Sequence, residues 1–184
     1  MSNLTLGSLF SGSGGFEVAG LMHGIKPVWA SEICPFAIRV TTKRFPDMLH
    51  LGDINTINGT DIPPVDIITG GFPCVDLSTA GLRGGIHSER SGLFFQMARI
   101  VREMLEATDG KFPRFVVVEN VMGMYSSNKG RDFLEVLNEL VKIKDKTLSV
   151  PMPENGKWLG AGEIVGDNFS LAYRSMCASL WGVP

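Results

Sequence analysis

Residues 4–16 read Leu4-Thr5-Leu6-Gly7-Ser8-Leu9-Phe10-Ser11-Gly12-Ser13-Gly14-Gly15-Phe16. A short apolar-rich run, Leu4 to Phe10, gives way to a glycine cluster, Ser11 to Gly15. Phe16 to Met22 then reads as a helix, with His23-Gly24 as its stop. Glycines between a strand and a helix let backbone approach a ligand, and the helix N-terminus offers N–H groups without partners. The dinucleotide fingerprint G-x-G-x-x-G is not met, because its last glycine, counted from Gly12, falls on Glu17. No lysine-serine ending of a phosphate-binding P-loop follows either. The stretch therefore predicts a ligand-binding α/β unit and argues against a nicotinamide or nucleoside triphosphate ligand.

Outward from this stretch, strands and helices alternate. Pro27 to Ser31 reads as a second strand closed by Glu32, and Phe36 to Phe45 as a helix after Pro35. Val65 to Thr69 is a strand ending at Gly70-Gly71, Leu93 to Ala107 has helical periodicity, and Phe115 to Val118 is an apolar run capped by Glu119-Asn120. Near-continuous apolar strands are expected where both faces of a sheet are covered. The pattern predicts an open, mostly parallel α/β sheet with helices on both faces. Asp132 to Ile143 reads as a further amphipathic helix. Lys144 to Gly166 reads as a loop (the insertion spans 145–168), and Phe169 to Trp181 as a return to the sheet. The 184 residues are read as one domain without internal repeats.

The net charge of −2 advertises no general affinity for nucleic acid, so phosphate-binding charge must be local or lie elsewhere. Cys34, Cys74 and Cys177 are odd in number and widely spaced, which argues against a disulfide framework or a zinc cluster. A reduced, cytoplasmic setting fits, and no apolar run is long enough to span a membrane.

Polar and glycine residues gather where strands end: Ser11 to Gly15, Glu32, Gly70 to Asp76, and Glu119-Asn120. Open α/β sheets bind ligands at that edge. Glu32, about twenty residues beyond the glycine loop, suits a ribose diol, and Asp53 could accept from an adenine amino group. The competing reading makes Glu32 a cap on the helix near Pro35 and Asp53 a cap on a turn. Cys74, in Gly70-Gly71-Phe72-Pro73-Cys74-Val75-Asp76-Leu77-Ser78, falls just past a strand end and is expected on an exposed turn. Cys34 and Cys177 are expected to be buried and structural. Residues 78–91, with Arg83, His87 and Arg90, read as a loop able to touch phosphates and close over a site. Glu119 can reach the same edge as Cys74, and Asn120 is expected to brace the loop.

Taken together, these residues resemble the C5-cytosine DNA methyltransferase family. The elements occur in the family's order: Phe10-Ser11-Gly12-Ser13-Gly14-Gly15, Glu32, Gly52-Asp53-Ile54, Gly71-Phe72-Pro73-Cys74, Leu93-Phe94-Phe95, and Glu119-Asn120-Val121. The resemblance implies the Rossmann-like methyltransferase fold, S-adenosylmethionine as cofactor, and DNA methylation of the restriction-modification kind. It implies that the Cys74 thiolate adds to C6 of a flipped cytosine, that Glu119 holds the N3 edge and protonates it, and that C5 then takes the methyl group. Loss of the C5 proton and expulsion of Cys74 complete the cycle. Phe10 would pack on the adenine, Glu32 would hold the ribose and Asp53 the adenine amino group. Ser11, Gly12, Gly14 and Gly15 would form the cofactor loop, Ile33, Ile54, Pro73 and Leu93 would line the pocket, and Ser78, Arg83 and Arg90 would meet DNA. The family pattern has an acid at Ser8, often Gln at Val75 and commonly Pro at Met122.

In the family a Gln-Arg-Arg segment, a target-recognition domain and a returning segment follow the position of Pro184. The expectation is therefore a catalytic core without target recognition, open along its C-terminal sheet edge, with weak DNA affinity alone. Such a chain would be one half of a two-chain enzyme completed by a C-terminal polypeptide, or a non-catalytic S-adenosylmethionine-binding module. Its apolar end, Cys177 to Trp181, would favour a partner or a homodimer.

Overall fold

The computed structural model describes residues 4–73 and 92–182. The chain runs β1 (Thr5–Leu9), α1 (Gly15–Met22), β2 (Lys26–Ser31), α2 (Pro35–Arg44), β3 (Leu49–His50), β4 (Ile67–Gly70), α3 (Gly92–Ala107), β5 (Phe115–Val118), α4 (Arg131–Val141), β6 (Ala161–Val165) and β7 (Ser170–Arg174). Strands β3-β2-β1-β4-β5 form one sheet, with every neighbouring pair parallel. The chain winds outward from β1 in one direction and resumes at β4 in the other. This reversal leaves a crevice between the carboxyl ends of β1 and β4, where such sheets hold ligands.

The sheet is covered on both faces, as a parallel sheet requires. On one face Leu9, Trp29 and Ile68 pack against Met97, Ile100, Val101 and Met104 of α3. Those helical residues recur at intervals of three and four, which puts them on one stripe. On the other face Ala30 packs with Phe45, Met48 and Val18 beneath α1 and α2. Gly7 in β1 is required by this packing, because the Trp29 indole lies over it and a Cβ there would come within 2.1 Å of the ring. The indole N–H is satisfied by the Pro63 carbonyl at 2.9 Å. At the sheet's base, Asp66 accepts from the Thr5 amide and hydroxyl, both at 2.9 Å, and from Arg114 at 3.4 Å. These bonds tie the starts of β1, β4 and β5 together.

Most expected elements occur within a residue or two of their expected bounds, and several readings are corrected. Residues 145–168 are not wholly a loop, since β6 begins at Ala161. Residues 169–181 do not return to the sheet; Ser170–Arg174 pairs antiparallel with β6 as a separate hairpin. Alternating burial marks both hairpin strands as one-sided. The covered side docks Leu171 and Tyr173 onto Phe133, with Trp158 alongside. β5 is likewise alternately exposed rather than buried on both faces. The two-residue β3 carries too little pattern to be read from sequence.

Cys34 and Cys177 are exposed, not buried. Cys34 sits at the N-cap of α2, and the Cys177 thiol lies 3.0 Å from the Ser179 hydroxyl, whose hydrogen bond lowers its pKa. Among the described residues no helix is long and apolar enough to cross a membrane, and no group of three His, Cys, Asp or Glu is placed to hold a metal.

Gly7→Ala should destabilise the fold by roughly 1–3 kcal/mol, the usual cost of forcing a methyl into a packed interior. Urea unfolding should show this as a lower midpoint with an unchanged slope.

Candidate active site

The strand order brings five loop segments to the carboxyl edge. After β1 the backbone turns sharply: Phe10 has φ 57, Gly12 φ 53 and Gly14 φ 90. The glycines adopt these values without strain, whereas a bulky residue such as Phe10 does so only where its surroundings hold it. Phe10 is held, packed against both the apolar cluster of Leu9, Trp29 and Met97 and that of Phe72, Phe94 and Met124. Gly14 caps α1, so the first turn of that helix points its N–H groups towards the crevice end of β1.

Glu32 fastens this loop to the end of β2. One carboxylate oxygen accepts from the Gly12 amide at 2.8 Å, and the other from the Ile33 and Cys34 amides at 2.8 Å each. The Ser11 amide adds a bond to the Ser31 carbonyl at 3.1 Å. Glu32 therefore does cap the entry to α2. Oε1 has both lone pairs engaged by these amides, but Oε2 accepts only from Gly12 among the described residues, so capping leaves one acceptor direction for a ligand. Asp53 behaves likewise, accepting from the Asn55 amide and side chain at 2.9 Å through one oxygen at the start of the 3-10 turn Ile54–Thr56. The Ser31 hydroxyl bonds the Gly52 carbonyl at 2.8 Å, fixing the Asp53 loop beside β2. A Cβ at Gly12, Gly15 or Gly52 would meet nothing within 4 Å. Three glycines thus border open space along the stretch that carries Glu32 and Asp53.

Of the expected pocket-lining residues, Ile33 (71% exposed) and Pro73 stand at the open edge, and Leu93 is half-buried at the start of α3. Ile54 is instead buried in the core against α3. It supports the Asp53 loop from inside.

Across the crevice, β4 and β5 end level, with Gly70 opposite Val118. The Glu119 amide donates to the Gly70 carbonyl at 3.0 Å. The Glu119 carboxylate lies over Gly71, where a Cβ would come within 3.0 Å of Oε2. The Asn120 side chain donates to the Phe72 carbonyl at 3.1 Å and accepts from the Val121 amide at 2.8 Å. Asn120 thus braces the Gly71-Phe72-Pro73 segment that leads into Cys74. Cys74 itself, with Val75, Ser78, Arg83, His87 and Arg90, lies outside the described residues.

Sequence reading missed two polar residues of this edge. Ser31 carries only the weak signal of a hydroxyl at a strand end. Glu17 reads as an ordinary first-turn acid, yet it is fully buried.

A doubly wound α/β domain with an acid, a glycine loop and an approach segment converging at its switch point belongs to the class that binds a cofactor at strand ends and works on a second substrate beside it. The chain belongs to the C-5 cytosine-specific DNA methylase family, whose model matches residues 4–144. It is 40% identical over 136 residues to the Type II methyltransferase M1.ScrFI of Lactococcus lactis subsp. cremoris, covering 73% of this chain and 33% of that protein. It is 35% identical over 134 residues to the Type II methyltransferase M.NgoFVII of Neisseria gonorrhoeae, covering 72% of this chain and 34% of that protein. The chain thus spans about a third of the length of these relatives. In fold it resembles the S. pombe Dnmt2 methyltransferase, with a TM-score of 0.58 at 21% identity over 88% of this chain and 44% of that one.

Glu32→Gln puts an amide donor against backbone donors and should cost about 1–3 kcal/mol, the usual range for stranding buried or charge-assisted bonds. Thermal unfolding without ligand should record it, and amide exchange should quicken at Gly12, Ile33 and Cys34 before it does in β4.

Proposed function

We propose that this chain is the cofactor-binding and nucleophile-bearing part of a DNA cytosine-C5 methyltransferase. The observation that carries the reading is the junction of β4 and β5. Glu119 lies over Gly71, and Asn120 holds the Phe72 carbonyl two residues before Cys74. An acid and the segment that delivers a thiol are thereby anchored to each other, which a two-residue reaction on one base requires.

S-adenosylmethionine fits the other half of the edge. Open backbone at Gly12, Gly15 and Gly52 leaves room for a ligand, and Glu32 Oε2 and Asp53 Oδ2 keep acceptor capacity for a ribose hydroxyl and an amino group. When bound, the cofactor supplies an electrophilic methyl group. The chain's own residues do the rest. The Cys74 thiolate forms a bond to C6 of a cytosine, and Glu119 delivers a proton to N3 as the ring accepts electrons. C5 thus becomes nucleophilic. After methyl transfer, a water molecule takes the C5 proton, the C–H electron pair restores the ring and expels the Cys74 thiolate, and N3 returns its proton to Glu119. The base must leave the duplex to reach this edge.

Completion by a second polypeptide carrying the remainder of such an enzyme is favoured by one region. A cavity of about 600 Å³ lies along the outer side of β5, bounded by Val116, Val118, Leu137 of α4, and Leu171 and Tyr173 of β7. Phe115, Val117, Val121 and Met122 are exposed beside it. Apolar surface of this kind along a strand edge that is unpaired among the described residues favours a protein partner.

Isothermal calorimetry should detect S-adenosylmethionine binding to this chain, lost in Asp53→Asn, which keeps the turn-capping oxygen but replaces the other acceptor with a donor. A folded chain that does not bind overturns the cofactor assignment for this part alone. With a relative's C-terminal part supplied, the chain should be trapped covalently on DNA containing 5-fluorocytosine. Cys74→Ser should abolish the trap, and a trap that survives the change would remove Cys74 as nucleophile.

A further inference from the structure

Seven polar or charged residues in the described structure are buried: Ser8, Ser11, Glu17, Ser31, Thr41, Thr69 and Asp132. Ser31, Thr41 and Asp132 have hydrogen-bond partners. The other four do not: Ser8 Oγ, Ser11 Oγ, both Glu17 carboxylate oxygens and Thr69 Oγ1 have no partner among the described residues. Buried polar groups are ordinarily satisfied, so such a concentration calls for an explanation. All four belong to the switch point. Ser8 and Thr69 are register partners in β1 and β4, Ser11 is in the glycine loop, and Glu17 is in the first turn of α1.

Glu17 is the costly member. It is 0% exposed, and an ionised carboxylate without partners in such a place is strongly disfavoured. Burial pushes its pKa up, offset only in part by His50 and by the Ser8 hydroxyl and Glu17's own amide, which lie near the carboxyl without closing a hydrogen bond to it. Around it, β1 presents Ser8. A Cβ on Gly14 would meet Thr41 of α2 and Phe45 just past its end, as well as Glu17 Oε2, the last at 3.7 Å, which places these groups together. The Thr41 hydroxyl is already bonded to helix carbonyls. On β3, His50 is the other titratable group that acts on Glu17 among the described residues, and its Nε2 lies 3.2 Å from the Thr42 hydroxyl. A neutral carboxyl can donate to Ser8 Oγ and sit here. A charged one must draw in water or shift the turn that carries it, and that turn, Gly14 to Glu17, borders the glycine loop.

We propose that Glu17 is a positioning residue for the glycine loop, so that cofactor binding at this edge depends on whether the Glu17 carboxyl carries its proton. The inference rests on the S-adenosylmethionine reading above. Its sign follows from linkage. Burial raises the Glu17 pKa of the free folded chain above its ordinary value, and a ligand that prefers the protonated form raises it further, so affinity is full below the free chain's pKa. The proton's contribution is lost as pH rises through the folded-state pKa.

The test is calorimetry of S-adenosylmethionine with the wild-type chain and Glu17→Gln at about pH 4.5 and about pH 8.5, which bracket a carboxyl raised from its ordinary value, with folding checked by circular dichroism at each. Wild-type affinity should fall on the order of tenfold across this range, equivalent to about one pKa unit of coupling. Glu17→Gln, an isosteric neutral side chain, should be flat and should bind more tightly than wild type at the higher pH. Parallel profiles for the two chains overturn the inference. If neither folded chain binds, the cofactor reading fails, and amide exchange of Gly12 to Phe16, corrected for intrinsic rates, decides the positioning role. Protection that falls with pH in wild type but not in Glu17→Gln supports it, and equal behaviour removes it.

Discussion

The register between β1 and β4 is the constraint on which the rest depends. Leu6 pairs with Ile67 and Leu9 with Gly70, so the two strands end level and their following loops leave the sheet together. The glycine loop and the Gly70-Gly71-Phe72-Pro73 segment then flank one crevice. A parallel sheet repeats the same backbone geometry strand after strand, and the same condition carries β5 to the edge with Glu119 beyond Val118. Gly7 and Gly70 allow this, because Trp29 and Met97 occupy the space that their side chains would need.

The edge is assembled by groups that serve two purposes. Glu32 closes the entry to α2 and pins the glycine loop, and Asp53 closes a 3-10 turn within reach of the same space. Ligand binding at such an edge needs acceptors already held in place, since ordering a loose carboxylate would consume binding energy. Asn120 plays the corresponding part on the far side, holding the approach to Cys74 against β5. The two halves of the edge are thus each tied by their own hydrogen bonds and joined through the β1–β4 register.

Much of this was legible in the residues. Strand ends announced themselves because apolar runs stop at glycine or acid, which marks Glu32 and Glu119 as edge groups, while Asp53 reads only as a candidate ligand acceptor or turn cap. The hairpin of β6 and β7 was not legible. Its glycine-rich flanks resemble a loop, and its alternation emerges only when one side packs on Phe133. Cys34 and Cys177 were misread because residue type sets only an average burial; at a helix cap and a surface turn the average fails.

The sequence by itself determined the alternation of strands and helices, the left-handed turns that glycine permits, and the ordered set of motifs that marks the family, because each is a property of a short segment. Only the tertiary structure decided that Glu32 bonds Gly12, that Glu119 lies over Gly71, and that Glu17 is sealed beneath the glycine loop. Those facts are distances between residues far apart in the chain, or burial made by several elements at once. No local pattern encodes them, because they follow from where the sheet order places each strand end.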